Sequence, residues 1–80
     1  MVFLATTRRG YEAYMTLSPG AALWLSAGIL SSRELRDLRA RGHSVTDFSY
    51  SIDQSDPEAM MDAVSTIREH HPHEPLWVEA

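Results

Sequence analysis

The stretch from Ala21 to Ile52 constrains the fold of this 80-residue chain more than any other. Its short apolar segment Ala22–Leu25 predicts a β-strand. Ser31 and Glu34 then have the three-residue spacing of a capping box, which predicts the start of a helix. The alternating segment Val45–Ile52 is rich in β-forming residues and predicts a second strand. Two strands joined through a helix lie parallel, almost always with a right-handed crossover.

The first part of this stretch also allows a different interpretation. Residues 21–41 could form one helix, because alanine and leucine are good helix formers. Gly28 and the Ser31–Ser32 pair disfavour an unbroken helix, and Gly42 is suited to the end of a helix that starts at the serines. A strand is therefore the favoured prediction for residues 21–28, with a helix as the alternative.

The N-terminal region shows two β-prone segments, Val2–Thr6 and Tyr11–Leu17. Residues 7–10 between them end in glycine and have the length of a hairpin loop. Residues 18–20, Ser-Pro-Gly, predict a tight break before the central unit. The sequence thus predicts an antiparallel hairpin that precedes the parallel strands.

The C-terminal region predicts a second helix and a closing strand. Asp56 is a good N-cap with Pro57 at the first helical position, and Pro72 ends the helix. Its apolar positions, Met60, Val64, Ile67 and His71, follow helical spacing; they indicate core packing, with an adaptable Met-rich groove as the alternative. Leu76–Glu79 predicts a short strand parallel to the preceding one.

The resulting order, β-β-β-α-β-α-β, predicts an α/β fold of the α+β type in a single domain spanning residues 1–80. Strands covered on both sides would be almost continuously apolar, and strands 11–17 and 45–52 alternate instead. Two helices can cover only one face of a five-stranded sheet, which leaves the other face uncovered. The prediction is a two-layer sandwich: a five-stranded mixed sheet with both helices on one face.

Strand alternation then assigns side chains to the uncovered face. It places Tyr14, Trp24, Asp47 and Trp77 there together. Exposed aromatic patches usually mark interfaces, and Trp and Tyr are frequent binding anchors. The sequence therefore predicts a small non-catalytic interaction module that binds itself, as a homodimer, or a protein partner through these four residues, without a cofactor.

Composition excludes several classes of protein. The chain is 44% hydrophobic and 22% charged, which is typical of a globular domain. Cysteine is absent, so there is no disulfide framework and no thiol nucleophile. No apolar run approaches the roughly 18 residues that cross a bilayer, and the N-terminus lacks a signal-peptide pattern. We expect a cytoplasmic protein that does not bind membranes.

Charge is distributed unevenly along the chain. Residues 1–46 carry six arginines and three acids, whereas residues 47–80 carry one arginine and eight acids. A basic segment can mark a nucleic-acid surface, but the net charge of −4 opposes binding to a polyanion. The predicted aromatic face also carries acids where an RNA-binding sheet needs basic residues. We therefore expect no nucleic-acid partner.

A histidine-rich segment is the obvious candidate for a metal site. His70, His71 and His73 offer imidazole ligands, but adjacent histidines on a helix diverge by about 100 degrees, and Pro72 interrupts the geometry. The loop that holds Asp53 and Asp56 could also bind a divalent cation. The alternative function is thus a small metal-assisted hydrolase whose site is completed by a second chain.

Overall fold

A computed structural model describes residues 1–17 and 20–79, in which strands and helices alternate from end to end. The elements are β1 (Val2–Ala5), α1 (Arg8–Leu17), β2 (Ala22–Leu25), α2 (Ser32–Ala40), β3 (Val45–Asp47), α3 (Pro57–His70) and β4 (Leu76–Glu79). Residues 18 and 19 of the predicted Ser-Pro-Gly break lie outside the described residues.

All four strands pair in parallel in one sheet with the order β3-β2-β1-β4. The chain runs outward from β1 through β2 to β3, and α3 then carries it back across the sheet to β4 on the other side of β1. Right-handed crossovers in opposite directions place helices on opposite faces. Accordingly, α1 and α2 cover one face and α3 covers the other.

Two hydrophobic cores flank the sheet, and β1 contributes to both. On one face, Phe3 and Ala5 pack with Tyr14 of α1 and Leu38 of α2. On the other face, residues from β1, β2 and α3 pack with the loop that follows β3; the buried members are Val2, Leu4, Trp24, Phe48, Ile52, Ala63 and Ile67. The whole of β1 is buried, as expected for the central strand of a two-sided parallel sheet.

The helices α2 and α3 form where local chemistry predicts them. The Ser31 hydroxyl accepts from the Glu34 amide and the Glu34 carboxylate accepts from the Ser31 amide, each at 3.1 Å, which completes the capping box. The positive φ of Gly42, 90°, follows the end of α2. Asp56 caps α3 with Pro57 in its first turn. These helix predictions are confirmed, as are strands at residues 22–25 and 76–79.

The prediction of a strand over residues 11–17 is wrong, because this segment belongs to α1. Tyr11 and Met15 pack on the core. Residues four apart lie on the same side of both a strand and a helix, so these two positions do not distinguish the two structures. Tyr14 decides between them: at the i+3 position it is 0% exposed, whereas a strand would place it outside. Thr7, predicted in a hairpin loop, instead accepts a hydrogen bond from the Gly10 amide at the start of α1.

The predicted five-stranded mixed sheet with one uncovered face is also wrong. With residues 11–17 helical, the described residues form a sheet of four strands, all parallel, with three helices that cover both of its faces. The α/β class is confirmed. Among the described residues, no helix is both long enough and apolar enough to span a membrane.

Candidate functional site

The outer edge of β4 exposes both backbone and apolar side chains. The Val2 amide donates to Pro75 O at 2.9 Å, and the Thr6 amide donates to Glu79 O at 3.3 Å. Because backbone groups alternate in direction along a parallel ladder, Trp77 also turns its N–H and C=O toward β1. The corresponding groups of Leu76 and Val78 therefore point away from the sheet, where no described strand pairs with them.

The side chains of β4 are exposed on both faces of the sheet. Trp77 is 46% exposed on the α1 face, and its ring lies nearly parallel to that of Phe3, with 6.5 Å between centroids. Its indole N–H donates to the Glu79 carboxylate at 2.9 Å. Val78 is 41% exposed on the α3 face, beside Leu4. The edge thus combines unpaired backbone with apolar surface, and residues 76–78 carry no charge.

The opposite edge of the sheet, β3, is protected. The Arg39 guanidinium donates to Val45 O at 3.0 Å, a carbonyl that points outward from β3, and it also lies 3.5 Å from the Asp47 carboxylate. Charged side chains on an edge strand are a common means of preventing further strand pairing. Of the two edges, therefore, β4 is the one that remains available.

An apolar groove lies along α3. It has a volume of about 360 Å³ and is lined by Met60, Met61, Val64, Ser65 and Arg68. On the other flank of the helix, the His70 ring contacts Trp24 of β2, with 5.4 Å between centroids. Since β2 and β4 lie on opposite sides of β1, the flank that bears the groove faces β4. The groove and Val78 therefore belong to one side of the molecule.

The carboxyl edge of the sheet, where open α/β proteins bind ligands, is closed by internal contacts. Thr6 is buried and its hydroxyl donates to the Gln54 side chain at 3.3 Å. The hydroxyl of buried Ser26 accepts from the Ile52 amide at 2.7 Å. Gly10 sits so close to β4 that an added Cβ would lie 2.7 Å from Glu79 O. The hydroxyls of Thr6 and Ser26 are thus engaged in hydrogen bonds within the fold.

The four residues predicted to form one binding face do not lie together. Tyr14 is buried, and its hydroxyl donates to Ala21 O at 2.8 Å; burial, followed by the nearby Tyr11, raises its pKa. Trp24 is 6% exposed and packs on Phe48 under α3. Asp47 lies at the β3 edge with Arg39, and Trp77 lies at the β4 edge. Only Trp77 belongs to the candidate surface.

The histidine-rich segment does not gather ligands. The His70 ring nitrogen is 3.0 Å from Thr66 O, and His71 pairs with Glu74, a contact that is the main cause of the lowered pKa of that carboxyl group. In the other acidic segment, hydrogen bonds from Ser55 lower the pKa of Asp53. Within residues 1–17 and 20–79, no three His, Asp or Glu side chains are placed to hold one metal ion.

Comparisons with known proteins add no family to this description. No protein-family model, no curated protein and no solved structure matches the chain. Function is therefore inferred from geometry alone.

Sequence reasoning missed the importance of Leu76 and Val78, because strand alternation puts them on the face opposite Trp77, which the predicted two-layer sandwich covers with helices. Their alternation with Trp77 correctly indicated opposite faces, but the position of β4 at an edge depends on pairing with β1, more than 70 residues away. The signal that could have identified this edge is the contrast between the fully apolar β1 and the mixed sequence of β4.

Proposed function

We propose that this protein is a non-catalytic binding module that joins another polypeptide to its sheet by strand addition along β4. The observation that carries the proposal is the contrast between the two edges: Arg39 occupies the outer carbonyl of β3, whereas the outward groups of Leu76 and Val78 have no described partner. In strand addition, main-chain hydrogen bonds supply affinity and alternate side chains supply specificity. Trp77 and Val78 are exposed in the positions where such side-chain contacts form.

The amino-acid composition of the β4 edge favours strand pairing, because the residues that usually prevent pairing at a sheet edge are absent from residues 76–78. Natural edge strands usually carry lysine, proline or an inward-pointing charge that discourages pairing. Residues 76–78 are Leu-Trp-Val, and the proline of this segment, Pro75, precedes the strand. The groove along α3, which Met60 and Arg68 help to line, offers further apolar surface on the α3 side of the sheet.

The proposal is tested by selecting displayed random peptides on the immobilised full chain and comparing their affinity for Val78→Pro. Because the Val78 N–H points away from β1, proline there removes an outward donor and leaves the β1–β4 ladder intact. We expect Val78→Pro to weaken the selected peptides at least about tenfold. The matched control is Asp47→Pro, which removes the corresponding outward donor on β3 and should leave peptide affinity unchanged. Selection of peptides that bind both variants equally would contradict the proposal.

A further inference from the structure

We infer that the polypeptide added to β4 is a second copy of the same chain, paired antiparallel about a two-fold axis at Trp77. This inference rests on the function proposed above and names its partner. In this dimer, β4 and the partner's β4 are the two central strands of an eight-stranded sheet.

Backbone direction restricts the possible registers. Only residues that turn their groups outward can form the closely hydrogen-bonded pairs of an antiparallel ladder, and on β4 these are Leu76 and Val78. A two-fold axis at Trp77 places Leu76 of each copy opposite Val78 of the other. This register uses every outward N–H and C=O of residues 76–78 in both copies, whereas an axis at Leu76 or Val78 would leave one of these residues without a partner within β4.

The side chains agree with the same register. Trp77 lies opposite its own copy as a non-hydrogen-bonded pair, in which Cβ atoms approach to about 5 Å and aromatic pairs are favourable. Both indoles lie on the α1 face, because an axis perpendicular to the sheet preserves its faces. Glu79 lies opposite Pro75, so this arrangement places no like charges directly across the strands.

Helix α3 gives the reason why a second copy of the chain is favoured as the partner over a single peptide strand. A four-residue strand alone offers little area compared with the roughly 1,200 Å² or more that a stable interface buries. On the α3 face, one helix covers the sheet, and helix periodicity places its apolar groove on the flank opposite the His70–Trp24 contact, toward the β4 side. The two-fold axis brings the same flank of the second α3 across that face. Met61, 69% exposed in one copy, lies on this flank.

Molar mass and disulfide trapping together test the inference. Sedimentation equilibrium of the full chain should approach twice the 9.0 kDa of one chain with increasing concentration. Val78→Pro, and separately Val78→Lys, which keeps the N–H, should raise the dissociation constant at least about tenfold, whereas Asp47→Pro should not.

The register is tested by single cysteines, since the chain contains no other. Trp77→Cys should form a disulfide-linked dimer under mild oxidation, because residues 77 face each other within the range of a disulfide. Val78→Cys should remain mostly monomeric, because the two residues 78 are diagonal neighbours about 7–8 Å apart. Trapping of Val78→Cys in preference to Trp77→Cys would overturn this register.

The outcomes separate this inference from the proposed function. A chain that stays monomeric at all concentrations and is not trapped by Trp77→Cys, while its selected peptides remain sensitive to Val78→Pro, would overturn the second copy and leave strand addition standing. A dimer that Val78→Pro and Val78→Lys do not weaken would overturn the inference. If the chain does not dimerise and its selected peptides bind Val78→Pro as tightly as the unaltered chain, the proposed function itself is contradicted.

Discussion

At the scale of single residues, the two tryptophans have opposite roles although both lie in the sheet. Trp24 is in β2, where α3 covers it, and its ring contacts Phe48, His70 and His71. Trp77 is in the edge strand, with nearly half of its side chain exposed. Side-chain alternation cannot distinguish these situations, because it specifies the face of a sheet and not the neighbour that covers it.

Truncation of the two tryptophans should therefore have unequal effects on the monomer. We expect Trp24→Ala to cost about 3–5 kcal/mol of the free energy of unfolding, which is typical of a buried aromatic side chain. Trp77→Ala should cost much less in dilute solution and should weaken self-association instead. Denaturant melts at several protein concentrations measure both effects. A concentration-independent loss for Trp77→Ala as large as that for Trp24→Ala would contradict this assignment.

At the scale of elements, the contact between α1 and β4 depends on one glycine. Helix propensity alone predicts that Gly10→Ala stabilises the protein by up to about 1 kcal/mol. The added Cβ, however, would lie 2.7 Å from Glu79 O, a backbone atom that cannot rotate away. Separation of α1 from β4 would follow, and overpacking of this kind costs about 1–3 kcal/mol.

We accordingly expect Gly10→Ala to be destabilising overall, measured by denaturant melts of the purified variants. Gly20→Ala is the matched control, because no atom of the described residues lies within 4 Å of a Cβ built there. This control should be neutral or slightly stabilising. Stabilisation by Gly10→Ala would show that the close approach of α1 to β4 is absent in solution.

Elements with explicit end signals could be predicted from the sequence, and α1 could not. Ser31, Glu34, Asp56 and Pro57 fix the starts of α2 and α3 through hydrogen bonds within a few residues. In α1 the first-turn cap is a threonine, Thr7, next to two arginines and a glycine, which resemble a hairpin loop equally well. Tyr11 and Met15 satisfy both periods, so only tertiary packing around Tyr14 decides the structure.

The wrong strand prediction for residues 11–17 also made the predicted sheet and the predicted binding face wrong. A strand at residues 11–17 adds an antiparallel neighbour and removes a helix, which leaves one face without cover. The contrary signal was the run Val2–Ala5, which is continuously apolar as a doubly covered parallel strand requires. Strand order itself depends on long-range pairing of β1 with β4, and no local pattern specifies it.

At the scale of the whole molecule, charge and apolar surface act in opposite directions on self-association. Each chain carries a net charge of −4, so two copies repel each other at long range. The surface that we propose to pair carries few charges: Arg68 is the charged residue of the α3 groove, Glu79 ends β4, and residues 76–78 are neutral. Association should therefore be driven by apolar burial and backbone hydrogen bonds, with electrostatic repulsion as the opposing contribution.

This balance predicts that salt strengthens the dimer. Raising ionic strength from about 0.01 M to 0.1 M shortens the Debye length from about 30 to 10 Å, which screens repulsion between the two negative chains and leaves short-range contacts unchanged. We expect the dissociation constant, measured by sedimentation equilibrium at neutral pH, to fall severalfold over this range. Arg68→Gln provides a check, because loss of a positive charge makes each chain more negative and should enlarge the salt effect. A dimer that weakens steadily with salt would instead indicate ion pairs across the interface, which pairing of the two β4 strands at Trp77 does not supply.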